Sequence, residues 1–344
     1  MKKIHYIAQS YVKTMDASVK PRTDVEDILK KNGAINIGIN RHFCKNQKLV
    51  LLLNHISYLL SIIRMPKNKI VFLQYPHQYH LLQIFNKAKK KHNKIILFVH
   101  DIDELRGFKT SKNSNILNFV DVIIVHTEAM KKWVISKYPK SKCIVLGSFD
   151  YLLEQDLSDI NIEKKTMEHF SIVFAGNLLK SKFIYNIPQN DNIEFHLYGL
   201  GIEEEKLNNN VMYEGATDPN NLINTIKTYD FGLVWDGIDA NSCTGEYGNY
   251  LRYNYPYKTS SYLSAGLPLI VWNEMGIKDY VETNKIGLAI NSISELQQKL
   301  NKLTISEYNE MKKNVNEIRN KIRSGFYTKT AIQKSIEFLG SNEH

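Results

Sequence analysis

Short runs apolar on both faces alternate with longer amphipathic segments along nearly the whole chain. In the first half, residues 4–8, 34–39, 70–74, 95–99, 121–126 and 143–146 read as strands. Continuous Val, Ile, Leu and Phe with no polar alternation leaves such a strand no face for water, the mark of a buried parallel sheet. Helical segments separate the runs. The first opens at Thr23, where Thr23 and Glu26 make a capping-box pattern, and it stops at Gly33. The most apolar helix covers residues 49–63. Asn54, His55, Ser57 and Ser61 interrupt it, so it reads as core and not as a membrane span. A polar stretch, residues 152–169, breaks the rhythm as a linker. Strands then resume at 172–175, 194–198, 211–214, 231–235, 267–272 and 287–290, and helices at 305–323 and 328–339 close the chain. Alternation repeated twice specifies α/β architecture: two tandem Rossmann-like doubly wound domains with C-terminal helices. The expected division is 1–151 and 170–325, with 326–344 a terminal helix able to pack back on the first domain.

Size and composition agree with two cores. The 344 residues exceed one ordinary domain, and 43% hydrophobic with 23% charged residues describes a globular chain. Cys44, Cys143 and Cys243 fall in no disulfide or metal-ligand spacing. The start, Met-Lys-Lys-Ile-His-Tyr-Ile, lacks the apolar region of a secretory signal. Both point to a reduced, cytoplasmic protein. The net charge of +10, with Lys87, Lys89, Lys90, Lys91 and Lys94 clustered, reads first as a solvated helix end. Peripheral attachment to the anionic inner face of the cell membrane is the second reading. No zinc finger, RNP motif or aromatic-basic repeat points to nucleic acid.

Ligands of doubly wound sheets sit beyond the carboxyl ends of the strands, which ranks the polar residues by position. Gly176 and Asn177 end one strand, with Lys180 just beyond. A helix is expected to follow, its free N–H groups turned to an anion. Lys258, Thr259, Ser260 and Ser261 crowd the first turn of another helix and supply the parts that hold a diphosphate. In the first half, His100, Asp101 and Asp103 follow the strand 95–99, with Arg106 placed for a turn salt bridge. A carboxylate there suits removal of a proton from a hydroxyl. Asp101 is the first candidate, with His100 and Asp103 as rivals. Asp101 and Asp103 also spell Asp-x-Asp, a pair that holds Mg²⁺ or Mn²⁺ on a diphosphate in metal-dependent, single-sheet enzymes. Asp236 ends a further strand and leads into a loop, 238–256, whose Glu246 and Tyr250 suit a sugar. His77 and His80, spaced i, i+3, lack a third metal ligand, so acceptor contact or packing is preferred.

Taken together, these segments resemble the bacterial β-1,6-galactofuranosyltransferases of O-antigen and capsule assembly. The chain is more distantly similar to the glucosyltransferase 3 type that extends glycans on streptococcal adhesins. The carriers are Lys20 to Asp24, His100 to Gly107, Phe149 to Leu152, Phe174 to Leu178, Gly232 to Gly237, Cys243 to Gly248 and Pro256 to Pro268. The resemblance implies a GT-B fold, a UDP-sugar donor, a glycan acceptor that is lipid-linked, and no metal or other cofactor. It places Gly176, Asn177 and Lys180 on one side of the diphosphate and Lys258 on another. Tyr198 and Gly199 border the uracil, and the Lys20–Arg22 segment closes over the donor. Many retaining GT-B enzymes carry two glutamates eight positions apart. Here Tyr253 and Ser261 stand instead, which favours inversion. UDP-glucose transfer to a glycoprotein glycan and a catalytically silent nucleotide-binding partner are the alternatives. Self-association is left open.

Overall fold

The structure is a computed structural model that describes residues 3–13, 19–107, 114–153 and 166–341. Most of the expected linker, 154–165, and the first two residues of the chain lie outside the described residues. The chain divides into two compact units: Met1–Asp150 with Gly325–His344, and Tyr151–Ser324.

The first unit runs β1 (Ile4–Tyr6), β2 (Tyr11–Val12), α1 (Lys20–Lys31), β3 (Ile35–Asn36), β4 (Phe43–Cys44), α2 (Gln47–Arg64), β5 (Ile70–Tyr75), α3 (Leu81–Lys90), β6 (Lys94–Val99), β7 (Val122–Val125), α4 (Glu128–Lys137) and β8 (Cys143–Val145). Its parallel six-stranded sheet has the order β3-β1-β5-β6-β7-β8, while β2 and β4 pair separately. The second unit runs β9 (Phe170–Ala175), β10 (Ile193–Tyr198), β11 (Val211–Tyr213), α5 (Pro219–Ile226), β12 (Phe231–Val234), α6 (Gly245–Tyr250), α7 (Tyr257–Ser264), β13 (Leu269–Trp272), α8 (Lys278–Thr283), β14 (Gly287–Ile290), α9 (Leu296–Lys302) and α10 (Ile305–Ser324). Its parallel sheet has the order β11-β10-β9-β12-β13-β14. A final helix, α11 (Phe326–Ser341), belongs to the first unit, where the Asp150 carboxylate accepts from the Tyr327 and Thr328 N–H groups at 3.1 and 2.7 Å. Every strand expected from the apolar runs is present, and the α/β fold of two tandem doubly wound sheets is as expected.

Four local expectations are corrected. First, α1 starts at Lys20, because Pro21 suits the first turn of a helix. Thr23 Oγ1 donates back to Lys20 O, and Glu26 points into the unit, where Gln9 N–H, Tyr11 OH and Arg41 all donate to it. The expected capping box does not form. Burial pushes the Glu26 carboxyl up to about 7 against the opposing pull of Arg41. Second, α2 is not a core helix. It buries Val50, Asn54, Ser57 and Ser61 and exposes Leu49, Leu51, Leu52 and Leu59. Third, no α-helix follows β9. Asn177 closes a turn by accepting from Lys180 N–H, and only a short 3₁₀ turn, Lys182–Asn186, comes next. Fourth, the loop 238–256 contains α6.

A buried phenol ties the second unit together. Tyr262 OH, on α7, accepts the Ala175 N–H at 2.7 Å, and Gly232 leaves room for the ring, since a Cβ there would lie 2.3 Å from it. Tyr262→Phe leaves that buried N–H unpaired and is expected to cost about 1–3 kcal/mol in denaturant unfolding. An unchanged midpoint would show the bond to be dispensable.

Candidate active site

In the second sheet the strand order reverses between β9 and β12, the switch point where such sheets bind ligands. Lys258, from the first turn of α7, reaches that point. Its Nζ lies 3.4 Å from Trp235 O, just past β12, and 4.1 Å from the centre of the Phe174 ring on β9. A Cβ on Gly176 would lie 3.3 Å from the same ammonium, so a small residue keeps the approach open. Gly199 sharpens the geometry. Its φ of +149° and a notional Cβ only 1.9 Å from Gly176 O exclude any side chain where the loops after β9 and β10 meet. Burial pulls the Lys258 ammonium below its ordinary 10.5, opposed by Asp236 and Cys243. Asp236 Oδ1 accepts from Gly237 N–H at 2.9 Å. Lys180 is exposed and lies 4.9 Å over the Tyr247 ring.

Other members of the expected donor set are placed differently. Thr259, Ser260 and Ser261 are buried. Ser261 Oγ donates to Lys258 O and Ser260 Oγ to Tyr255 OH, so both hydroxyls are spent within the unit. Thr259 Oγ1 is buried with no hydrogen-bond partner. Tyr198 OH meets Tyr229 OH at 2.8 Å. Tyr250 is buried in α6, whereas Glu246 is exposed.

In the first unit, His77, His100, Asp101 and His126 gather beyond the ends of β5, β6 and β7. His100 is 7% exposed and stacks on Phe149 with rings 7° apart. Its Nε2 lies 2.7 Å from Gln74 Oε1, while the Gln74 amide donates to Arg22 O. Nε2 therefore carries the proton, and Nδ1 is left buried without a partner. Burial, then the nearby His77, Arg22 and His126, holds the ring far below the usual imidazole range, so it is neutral. Asp101, with its side chain 29% exposed, is the accessible group. Its Oδ2 lies 3.6 Å from both His77 Nε2 and Arg106 Nη1. Burial alone would raise its pKa. The nearby His77 ring and the Arg106 charge outweigh it and hold the carboxyl below the usual range. The expected salt bridge to Arg106 is thus present. Asp103 opens a 3₁₀ turn, Asp103–Arg106.

His126 was not singled out from the sequence, although the strand-end rule covers it. Its Nε2 donates to Val99 O at 2.9 Å, and burial pushes it down to about 4 against the pull of Asp101. Lys20 pairs with Asp24 at 3.0 Å, and the Arg22 guanidinium lies 5.1 Å over Tyr11, both in the first turns of α1. His80 packs its ring 4.3 Å from that of Tyr58, away from a shared site with His77. Among the described residues no group of three or more His, Cys, Asp or Glu is placed to hold a metal ion.

An ammonium at a switch point and an oriented carboxylate beyond a strand end are the parts of a group-transfer enzyme with an anionic leaving group. Comparison with known proteins agrees. Residues 4–148 match the N-terminal domain and 172–335 the C-terminal domain of the glucosyltransferase 3-like family. The β-1,6-galactofuranosyltransferase WbbI of Escherichia coli (strain K12) is 33% identical over 265 residues, 76% of this chain and 76% of that protein. Glucosyltransferase 3 of Streptococcus parasanguinis is 25% identical over 264 residues, 74% of this chain and 73% of that protein. The sucrose-phosphate synthase of Thermosynechococcus elongatus shares the fold, with a TM-score of 0.60 and 11% identity across 99% of this chain and 100% of that one. The chain therefore belongs to the glucosyltransferase 3-like family and is a hexosyltransferase of the GT-B fold.

Proposed function

We propose that this enzyme transfers galactofuranose from UDP-galactofuranose to a hydroxyl of a lipid-linked oligosaccharide in cell-surface polysaccharide synthesis, with inversion and without a metal. The observation that carries the reading is the Lys258 ammonium between the ends of β9 and β12. The 33% identical relative named for galactofuranosyl transfer supports the choice of sugar. The acceptor oxygen forms its bond to the anomeric carbon as the bond to UDP breaks. Asp101 takes the hydroxyl proton in the first unit. In the second unit Lys258, Lys180 and the amides after Gly176 offset the charge collecting on the departing diphosphate. His100, fixed by Gln74 and Phe149, positions the backbone that carries Asp101.

The test is UDP release from UDP-galactofuranose, UDP-galactose and UDP-glucose, with and without chelator, using a synthetic lipid-linked acceptor. Preference for the furanose donor in chelator is expected. Preference for UDP-glucose with a glycopeptide would give the glucosyltransferase reading, and UDP binding with no donor consumed would give the silent partner.

The 3.6 Å approach of His77 to Asp101 favours one second reading, in which His77 takes the proton and Asp101 orients it. His77→Gln then costs as much turnover as Asp101→Asn. In the first reading it costs less than about tenfold.

Charge on Lys258 gives a pH test. A bound diphosphate stabilises the ammonium, so donor affinity is complete below the lysine pKa and lost as pH rises through it. The fall is expected below the ordinary 10.5. Lys258→Arg keeps its charge and should remove that fall from UDP titrations. Identical profiles for the two proteins would contradict the assignment.

A further inference from the structure

The outward face of α2 is apolar along its length, and neither unit's chemistry uses it. Leu49, Leu52, Ile56, Leu59 and Ile63 recur at intervals of three and four, which stacks them in one stripe about 20 Å long. All are exposed, Leu52 at 55% and Ile63 at 78%. The opposite face is held inward by polar bonds. Asn54 accepts from Ser10 N–H at 2.7 Å and donates to Ser10 O at 3.0 Å, and Ser57 Oγ donates to Ala8 O at 3.1 Å. The helix cannot turn its leucines inward without breaking these bonds. A helix packed only for its own unit shows the reverse pattern.

Charge indicates what covers the stripe. No Asp or Glu occurs between Asp27 and Asp101, and thirteen Lys and Arg fall in that interval. Lys45 and Lys48 are exposed at the start of the helix and Arg64, Lys67 and Lys69 at its end. A second copy laid along the stripe would set cations against cations, whether parallel or antiparallel, with no carboxylate on the helix to answer them. An anionic bilayer answers both features, with acyl chains for the stripe and phosphates for its ends. Among the described residues no helix is long and apolar enough to cross a membrane. The fitting geometry is a helix lying in the interface.

We propose that α2 docks the first unit on an anionic lipid bilayer, its leucine and isoleucine stripe set among the headgroups and its terminal lysines and arginines on lipid phosphates. This stands independently of the donor sugar, since nothing on α2 enters the proposed chemistry.

The test is co-sedimentation of the full chain with vesicles of phosphatidylcholine alone or mixed with phosphatidylglycerol. The mixed vesicles should bind about tenfold better, with loss in high salt. Leu52→Ser, Leu59→Ser, Ile63→Ser in one protein should lower binding about tenfold with the melting curve unchanged, because all three positions are exposed. Should that variant fail to fold, Lys45→Gln, Lys48→Gln should still abolish the anionic preference. Equal binding to both vesicle types, or wild-type binding by the triple variant, would overturn the proposal. So would a dimer in light scattering that the triple variant dissolves without any vesicle binding.

Discussion

Lys258→Ala is expected to lower turnover by about 10²–10³-fold and to weaken UDP binding, with the unfolding midpoint nearly unchanged. The side chain is half-buried against Phe174, and burial has already pulled its proton affinity down. Among the described residues its one hydrogen-bond acceptor is Trp235 O, at a long 3.4 Å. That arrangement gives the fold little and an incoming diphosphate much. Stripped of most water, the ammonium interacts more strongly with a phosphate than an exposed lysine does. Lys180, exposed and stacked over Tyr247, should matter less, so Lys180→Ala should cost about tenfold at most. Steady-state kinetics with UDP titrations checks both. Full activity in Lys258→Ala would remove the residue from the site.

Asp101→Asn is expected to bind UDP normally and to turn over about 10²–10⁴-fold more slowly. The amide keeps the shape of the carboxylate and cannot accept the proton. The sign of the pH effect follows from the depressed pKa. Asp101 is ionised above that value and loses its negative charge only as pH falls through it, below the ordinary carboxylate range. Wild-type turnover should therefore show no acid limb from this group near neutrality. For the same reason its ion pair with Arg106 weakens only in strong acid. Near-normal turnover by the Asn variant would end its candidacy as base.

Much of the architecture was legible because buried parallel strands write themselves as unbroken apolar runs, as in Ile95–Val99 and Phe231–Val234. What escaped was set by contacts distant in sequence. β2 and β4 are two residues each, too short for any period to register. Thr23 and Glu26 have capping-box spacing, yet Glu26 is claimed by Tyr11 and Arg41. The period of α2 was plain, but which face turns inward depends on Ser10 and Ala8, 44 and 49 positions away. At the site, position brought Gly176, Asp236 and Asp101 forward at strand ends and Lys258 in the first turn of a helix. It could not show that Ser260 and Ser261 turn their hydroxyls inward, nor that Gln74 and Phe149 fix the His100 ring, because those are side-chain choices made across separate elements.

The central claim is that the donor diphosphate is held by this chain's own cations at the switch point of the second sheet. A crystal structure of the UDP complex grown in chelator tests it most directly. The account predicts the β-phosphate within hydrogen-bond reach of Lys258 Nζ and beside the Gly176–Asn177 backbone. Nucleotide lodged elsewhere, or bound only when a divalent cation bridges it to Asp101 and Asp103, would contradict it.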